Sequence, residues 1–286
     1  MKLDHLQNIL IVGLGLLGGS YAMALKKQGY RVNGIARRQE TVDYALAHGM
    51  IDRGTTEIDP ELIGQADLVV FALYPHIFID WIKQNQQYFK SGAILTDVTG
   101  VKGGVVDVIQ SLLREDVEFI AAHPMAGRET CGIENSSDEI FKGANYIVVP
   151  TEKNTPDAIE LCRDLGEKLG FCRVAELSVD MHDRMIAFLS QLTHCIAVTL
   201  MCCNNTPDLE YYTGDSFRDL TRIARINDEM WSELFLDNRH ALLPEMDRFR
   251  REFDRLYDLI QSGDREGIRK MMRCSTERRQ RFDKKE

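Results

Sequence analysis

Short apolar runs alternate with segments of helical periodicity along the first half of the chain. Each run is five to eight residues long, is rich in Val and Ile, and is bounded by turn residues, which is typical of a buried strand. Alternating strands and helices predict a mainly parallel sheet that helices cover on both faces. The predicted strands are 8–12, 32–36, 66–73, 93–98, 118–122 and 145–149, and helices are predicted between most of them, such as 18–27 and 105–113.

The pattern changes near Val174, and from Ser178 onward only amphipathic helical stretches follow. The sequence therefore predicts an α/β chain: a dinucleotide-binding domain of Rossmann type with a mostly parallel sheet at 1–176, and an all-helical domain at 177–286. The predicted helices of the second domain are 180–203, 216–223, 228–239, 242–262 and 265 to the end.

A glycine motif opens the first predicted helix. The segment GLGLLGGS contains G-x-G-x-x-G directly after a predicted strand, which is the context of a dinucleotide-binding loop. The first glycine permits a tight turn, the second lets backbone approach the pyrophosphate, and the third lets the helix pack against the strand. The phosphates would meet the positive end of the helix dipole. The predicted cofactor contacts in this loop are Gly13, Leu14, Gly15, Leu16, Leu17 and Gly18.

The end of the second predicted strand bears on the kind of cofactor. NAD sites place an acid there for the ribose 2′-hydroxyl, but this chain has Ala36 followed by Arg37 and Arg38. Two arginines suit a 2′-phosphate, so we predict NADP, with NAD as the alternative if they are only solvated loop charges. Leu73, Thr99 and Gly100, at the ends of later strands, complete the predicted cofactor site.

Charge and cysteine content exclude several classes of protein. A formal net charge of −9 argues against nucleic acid, although a local basic pocket can still bind an anionic substrate. Seven cysteines without a C-x-x-C pair suggest neither a disulfide framework nor a zinc site, so no metal is predicted. The N-terminus does not resemble a signal peptide, and no run approaches the roughly 20 apolar residues of a membrane span. We therefore expect a cytoplasmic protein with no membrane partner.

His123 directly follows the predicted strand 118–122 and precedes Pro124. Ligands of open α/β sheets lie at the carboxyl ends of strands, and a histidine there can exchange a proton with a substrate hydroxyl near neutral pH. It can equally be a buried histidine that hydrogen-bonds to backbone. Position alone leaves both interpretations open.

Five segments together resemble the prephenate and arogenate dehydrogenases: GLGLLGGS, DVTGVKG, AAHPMAGRE, MHDRMIAFLSQLTH and FRDLTRIARINDEMW. The resemblance runs from about residue 8 to residue 240. The glycine motif is shared with many dehydrogenases, whereas H-P-x-A-G-x-E and D-x-T-R-I-A…W are far more specific. The resemblance implies oxidative decarboxylation of prephenate to 4-hydroxyphenylpyruvate with hydride transfer to NAD(P)⁺, in tyrosine biosynthesis. The alternative is arogenate as the substrate, giving tyrosine directly.

The resemblance also implies roles for particular residues. His123 is expected to hydrogen-bond the ring hydroxyl as the catalytic base, and Arg222 to bind a substrate carboxylate, unless it only pairs with Asp219. Asp183 and Glu129 could orient His194 or Arg222, although Asp183 could instead cap a helix. The predicted substrate-binding residues are Arg222, His194, Gln191, Asp183, Glu129, Trp231 and Thr99.

The chain departs from the family at two positions. Many relatives carry a serine at Gly100 whose hydroxyl bonds the catalytic histidine and the nicotinamide, so Thr99 or water would have to replace it here. Many also carry histidine at Gln191, whose amide can hydrogen-bond but cannot carry charge. Prephenate is favoured over arogenate from the family alone.

Two other kinds of protein compete with this interpretation. β-Hydroxyacid dehydrogenases also join a Rossmann domain to helices, but they use a lysine of the helical domain, and none lies between Gly170 and Arg269. A non-enzymatic NADP sensor would bind the cofactor without turnover. The helical domain also has long apolar faces, and the family dimerises there, so a homodimer is expected. One such face comprises Met185, Ile186, Leu189, Leu192 and Ile196.

Overall fold

The computed structural model describes residues 2–3, 8–128 and 130–282. The chain divides into two compact units, residues 1–238 and 239–286. The predicted domain boundary at 176/177 lies inside the first unit, where the last strand ends at Glu176 and the next helix begins at Val179. It stays a prediction.

A parallel sheet of six strands forms the centre of the first unit, in the order β3-β2-β1-β4-β5-β6. The order reverses between β1 and β4, and ligands of doubly wound folds bind at such a switch point, outside the carboxyl ends of the strands. The strands are β1 (Asn8–Val12), β2 (Arg31–Ile35), β3 (Arg53–Thr55), β4 (Leu68–Phe71), β5 (Ile94–Asp97) and β6 (Glu118–Phe119).

Both faces of this sheet are buried, as the apolar runs predict. Successive side chains of a strand point to opposite faces, and in β1 Ile9 and Ile11 enter one apolar core while Leu10 and Val12 enter the other. Full burial of one such side chain contributes about 1.5–3 kcal/mol relative to exposure. The helices of this part are α1 (Leu16–Lys27), α2 (Gln39–Ala47), α3 (Pro60–Gly64), α4 (Pro75–Asn85), α5 (Val106–Leu112) and α6 (Pro156–Lys168).

A second sheet has three strands in the order β7-β8-β9, with β7 antiparallel to β8 and β8 parallel to β9. The single predicted strand 118–122 is wrong, because the chain leaves the first sheet at Ile120 and enters the second at Ala121. Strands β3 and β9 were not predicted, because they are short and lack an apolar run. The second sheet comprises β7 (Ala121–Pro124), β8 (Asn145–Val149) and β9 (Arg173–Glu176).

The rest of the first unit is helical, as predicted. Its longest stretch, Val179–Cys202, contains a π-helical turn at Ala187–Gln191, and the Ser178 hydroxyl caps its start by accepting from the Met181 N–H at 3.3 Å. By length and composition this stretch is able to cross a membrane, so the expectation that no run approaches a span is wrong for it. The helices are α7 (Val179–Ile186), α8 (Leu192–Cys202), α9 (Asp215–Thr221) and α10 (Asp228–Asp237).

The second unit is a pair of helices, α11 (Arg239–Gln261) and α12 (Arg265–Arg279). Gly263, with φ of 69°, turns the chain between them, since an L side chain rarely adopts this conformation. The Asp264 carboxylate then caps α12 by accepting from the Gly267 N–H at 2.9 Å.

Candidate functional site

The glycine loop joins β1 to α1 at the switch point of the sheet. Gly13 has φ of 98°, and a Cβ there would lie 2.4 Å from the carbonyl oxygen of Ala72, so only glycine fits. A Cβ on Gly18 would lie 1.9 Å from the Gly13 oxygen and 3.1 Å from the Cβ of Ala72, so the start of α1 packs closely on the residues that follow β1 and β4. Gly15 faces open space and begins α1 without a side-chain cap. Open backbone at a helix N-terminus fits a dinucleotide pyrophosphate.

The other residues predicted for the cofactor line this loop or the neighbouring strand ends. Leu73 follows β4, and its Cδ2 would lie 2.9 Å from a Cβ on Gly13. Ala36 is buried and its N–H donates to the Thr55 carbonyl at 3.1 Å. Arg37 and Arg38 are exposed beside it at the carboxyl end of β2. Leu14 and Leu16 are buried and Leu17 is half-buried against the core, so these side chains anchor the loop.

His123 lies inside β7 and pairs with Ile147 of β8, so the prediction that it follows a strand is wrong. Its ring is half-buried and its Nδ1 lies 2.8 Å from Nε2 of His182. His182 is fully buried in α7, and its own Nδ1 lies 2.7 Å from Oδ1 of Asp183. Three side chains thus form a hydrogen-bonded chain from α7 to β7.

Donors and acceptors fix the direction of this chain. The Asp183 carboxylate can only accept, so the Nδ1–H of His182 donates to it and leaves Nε2 of His182 with a lone pair. That lone pair accepts from the Nδ1–H of His123. The Nε2 of His123 therefore carries a free lone pair, which is the form of imidazole that accepts a proton.

The electrostatics keep both rings neutral. Burial lowers the pKa of His123 well below its ordinary value, and the Lys102 cation and the unfavourable coupling to a protonated His182 lower it further. Burial also lowers the pKa of His182, although its hydrogen bond to Asp183 opposes this. Burial opposes ionisation of Asp183, but hydrogen bonds from His182 and from backbone N–H groups outweigh it and lower the pKa of the carboxyl. The hydrogen-bonded series therefore consists of an ionised Asp183 carboxylate followed by two neutral imidazoles, those of His182 and His123.

Asp183 also holds the loop that follows β5. Its Oδ1 accepts from the N–H of Lys102 at 2.9 Å and its Oδ2 from the N–H of Gly103 at 2.6 Å. The suggested helix cap is wrong, because Ser178 is the cap and Asp183 lies inside α7. The carboxylate is 1% exposed and orients His182, so direct substrate binding by Asp183 is corrected to a positioning role.

A buried ion pair joins the last residue of β5 to the loop that follows it. Nζ of Lys102 lies 2.6 Å from Oδ2 of Asp97, and both side chains are fully buried. The single proton of the Thr99 hydroxyl donates to the Asp97 carboxylate, the Val101 carbonyl lies 3.1 Å from the same oxygen, and the hydroxyl oxygen accepts from Lys102. Thr99 is therefore not the replacement for the family serine, and its predicted ligand contacts are corrected to internal hydrogen bonds. At Gly100, an added Cβ would lie 3.5 Å from the side chain of Leu234 of α10, its nearest neighbour among the described residues.

Gln191 is buried, with both ends of its amide engaged. Its Nε2 donates to the Leu234 carbonyl at 2.7 Å, and its Oε1 accepts from Nδ2 of Asn238 at 2.7 Å. Asn238 also donates to the carbonyl of Asp183 at 2.9 Å. Gln191 thus fastens α10 to the π-helical turn, which corrects the predicted substrate contact.

His194 and Trp231 form an aromatic pair. Their rings stack with centroids 3.7 Å apart, and Nδ1–H of His194 donates to the Ser190 carbonyl at 2.9 Å. Trp231 lies one turn before Leu234, whose side chain faces Gly100 at the end of β5. The stack therefore lies on the part of α10 that packs against the carboxyl edge of the sheet.

Arg222 lies directly after α9 and is exposed. It lines an open pocket of about 170 Å³. Thr193 of α8 lines the same pocket, whereas His194 and Trp231 are not among its described lining residues. Glu129 lies outside the described residues. The pocket that Arg222 and Thr193 line is completed by Ile196, Asp219, Leu220 and Ile223.

Sequence reasoning missed two residues of the site. His182 is 59 residues from His123, and its only signal was the adjacent Asp183 in the segment MHDRM. Lys102 stands in the quoted DVTGVKG segment but received no role, since lysine is almost never fully buried unless it is paired. Both become visible only when the strands and α7 are assembled.

Comparison with known proteins covers most of the chain. Residues 21–174 match the family model "prephenate dehydrogenase, nucleotide-binding domain", and residues 178–274 match "prephenate dehydrogenase, dimerization domain". The cyclohexadienyl dehydrogenase of Zymomonas mobilis is 31% identical over 90% of both chains.

Two solved structures are also similar. The prephenate dehydrogenase of A. aeolicus, in complex with hydroxyphenyl propionate and NAD⁺, is 30% identical with a TM-score of 0.89 and covers 97% of this chain and 98% of its own. The Synechocystis arogenate dehydrogenase is 25% identical with a TM-score of 0.83 and covers 97% and 100%. The motifs, the fold and these likenesses agree, and the chain belongs to the prephenate and arogenate dehydrogenase family of oxidoreductases.

Proposed function

We propose that this protein oxidises prephenate to 4-hydroxyphenylpyruvate and carbon dioxide, with NADP⁺ as the hydride acceptor, in tyrosine biosynthesis. The observation that carries the proposal is the oriented chain of Asp183, His182 and His123. It leaves a neutral imidazole with a free Nε2 lone pair in β7, whose Ala122 contacts the loop after β5, and that loop lies at the same carboxyl edge of the first sheet as the glycine loop.

Each part of the reaction has a residue suited to it. The bound nicotinamide supplies the acceptor for hydride from the ring carbon that carries the hydroxyl. His123 accepts the hydroxyl proton at Nε2 as the hydride leaves. The ring carboxylate then departs as carbon dioxide, and aromatisation makes this step strongly downhill. The protein therefore has two main tasks, which are to align the substrate hydroxyl with His123 and to keep the imidazole of His123 neutral.

The helical part offers groups for the substrate. The planar guanidinium of Arg222 suits two parallel hydrogen bonds to a carboxylate. The stacked rings of His194 and Trp231 offer an aromatic wall for a cyclohexadienyl ring. These roles are part of the proposal.

The cofactor preference rests on the end of β2. A buried Ala36 supplies no acceptor for a ribose 2′-hydroxyl, whereas the exposed guanidinium groups of Arg37 and Arg38 can pair with a 2′-phosphate. Their exposure means that salt will weaken this preference.

A turnover matrix of two substrates and two cofactors tests the proposed function. We expect the highest kcat/KM with prephenate and NADP⁺, measured by the absorbance of reduced cofactor, because both arginines favour the 2′-phosphate. Arogenate as the better substrate would reassign the side-chain specificity within the family. Tight cofactor binding without turnover of either substrate would contradict the proposal and favour a sensor.

The double variant R37A/R38A separates the cofactor assignment from the rest. It should raise KM for NADP⁺ and leave KM for NAD⁺ nearly unchanged, because NAD⁺ has no phosphate for these side chains. Lys27→Ala, which removes an exposed lysine paired with Asp138, is the matched surface control. A large preference of the unaltered protein for NAD⁺ would overturn the assignment to NADP.

The pH dependence of turnover follows from the neutral His123. Its pKa lies well below the 6.5 of an ordinary histidine because of burial and the neighbouring His182 and Lys102, so the base is lost only when the pH falls below that value. We therefore expect the acid limb of the kcat profile to lie below pH 6.5. Circular dichroism at each pH would show that the protein is folded. A limb centred at or above 6.5 would contradict the neutral-base assignment.

The proposal also includes that the protein is a homodimer and is cytoplasmic. Residues 178–274 match a dimerization domain, and the α7–α8 stretch exposes apolar side chains on its surface. Ile186 and Leu192 of the predicted apolar face are buried within the protomer, so that face is narrower than predicted. The exposed apolar side chains are Met181, Met185, Phe188, Leu189 and Met201.

A further inference from the structure

We propose that the buried ion pair of Asp97 and Lys102 is a positioning device for the imidazole of His123. It acts through the backbone of Ala122, the residue that precedes His123 in β7. The inference rests on the proposed function, in which His123 is the base.

The contacts that carry this proposal lie at an open strand edge. Strand β7 is the edge strand of the second sheet, with β8 on one side only. On the other side, the N–H of Ala122 donates to Oδ1 of Asp97 at 3.0 Å, and the C=O of Ala122 accepts from Nζ of Lys102 at 2.6 Å. Two charged side chains thus supply the hydrogen bonds that a further strand would make.

The ammonium group is fully used in this arrangement. Its three donors have three acceptors: Oδ2 of Asp97 at 2.6 Å, Oγ1 of Thr99 at 3.1 Å and the carbonyl oxygen of Ala122 at 2.6 Å. The geometry therefore requires protonated lysine, although burial lowers its pKa and the charge of Asp97 opposes that shift.

Stability alone does not account for such a pair. Removing two charges from water costs several kcal/mol per ion, and well-packed apolar residues of similar volume often stabilise a fold as well or better. The pair does something that apolar residues could not do, because it joins the end of β5 in the first sheet to β7 in the second. His123 is thereby held at two points, its backbone neighbour by the ion pair and its ring by His182.

Lys102 also sets the charge environment of the ring. Among the described residues, the charged and titratable groups around His123 are His182 and Asp183 of α7, Asp97 at the end of β5 and Lys102 in the loop that follows. A cation near the imidazole disfavours a second positive charge, so Lys102 helps to keep His123 unprotonated. Because Lys102 is 0% exposed, it cannot reach a ligand, and it acts only through His123 and the backbone.

The variant Lys102→Met tests the proposal. We expect kcat to fall by about 100-fold, the loss that a misplacement of about 1 Å can cause, with KM for substrate and cofactor within about threefold of the unaltered protein. The acid limb of kcat should move to higher pH, because loss of the cation raises the pKa of His123. Lys142→Met, which removes an exposed lysine paired with Glu139, is the matched control and should change neither quantity.

A second variant keeps the proposal testable if Lys102→Met fails to fold. Lys102→Met leaves the Asp97 charge buried alone, whereas the double variant D97N/K102M removes both charges and keeps a side-chain oxygen for the Ala122 N–H. The same fall in kcat is expected of it, with a smaller shift of the acid limb to higher pH, because the negative charge of Asp97 is removed together with the cation. A folded variant of either kind with kcat within twofold of the unaltered protein and an unmoved acid limb would overturn the proposal.

A titration without turnover separates this inference from the proposed function. The ring resonances of His123, assigned by their loss in His123→Asn, can be followed by NMR against pH in the protein without ligands. Titration at higher pH in Lys102→Met supports the electrostatic role even if neither substrate is oxidised, and titration at an unchanged pH contradicts that role. Absence of turnover in the unaltered protein would refute only the proposed function.

Discussion

Replacing His123 by asparagine is expected to lower kcat by about 100-fold or more, with little change in KM for the substrate. An asparagine amide can still donate a hydrogen bond toward Nε2 of His182, but it has no basic nitrogen to accept the hydroxyl proton. The loss therefore falls on the step in which the proton moves. Steady-state kinetics of the purified variant, with its fold checked by circular dichroism, measures the effect.

The matched control for this variant is His48→Asn. His48 follows α2, stacks on Tyr44 and donates from Nδ1 to the Tyr44 carbonyl at 2.8 Å, outside the candidate site. The control should retain the kcat of the unaltered protein. Undiminished turnover in His123→Asn would mean that another group takes the proton, and the mechanism would have to be abandoned.

Replacing Arg222 by alanine is expected to act on binding instead. Breaking a charged pair with a substrate carboxylate costs about 2–5 kcal/mol, which corresponds to a rise of about 30-fold or more in KM. Because Arg222 is exposed and solvent screens its charge, we expect the lower end of this range, with kcat little changed. The KM for prephenate, measured at saturating cofactor, reports the effect.

Arg218→Ala serves as the control in the same segment. Arg218 belongs to α9 and donates to the Thr213 carbonyl at 3.0 Å, so its loss removes an arginine without touching the pocket that Arg222 lines. It should leave KM within about twofold. Normal substrate binding by Arg222→Ala would show that the carboxylate is held elsewhere.

The sequence predicts the longer buried strands of both sheets well, because a continuous apolar run reports burial directly. The runs 8–12 and 145–149 coincide with β1 and β8 to the residue, since each is a continuous apolar segment between turns. The run 118–122 is equally apolar, but whether a strand stays in one sheet depends on neighbours that are distant in the chain. The break between β6 and β7 at Ile120 therefore depends on tertiary contacts and cannot be predicted from the local sequence pattern.

The candidate site divides in the same way. The glycine loop and His123 could be found from the sequence because each belongs to a short motif of adjacent residues. The partner of His123 could not, because His182 reaches it from another element and lies 59 residues away. Thr99 and Gln191 have side chains suited to ligands, and only burial and their internal hydrogen bonds show that these are engaged elsewhere.

The π-helical turn at Ala187–Gln191 has a consequence for how this site tolerates insertions and deletions. It separates His182, which holds the base, from His194, which stacks on Trp231, along one continuous helix. Each residue of a helix advances the azimuth of all that follow by about 100°, so the one surplus residue of a wider turn sets the angle between these two imidazoles. Excising a single residue there would swing His194 to another side of the helix while leaving His182 in place.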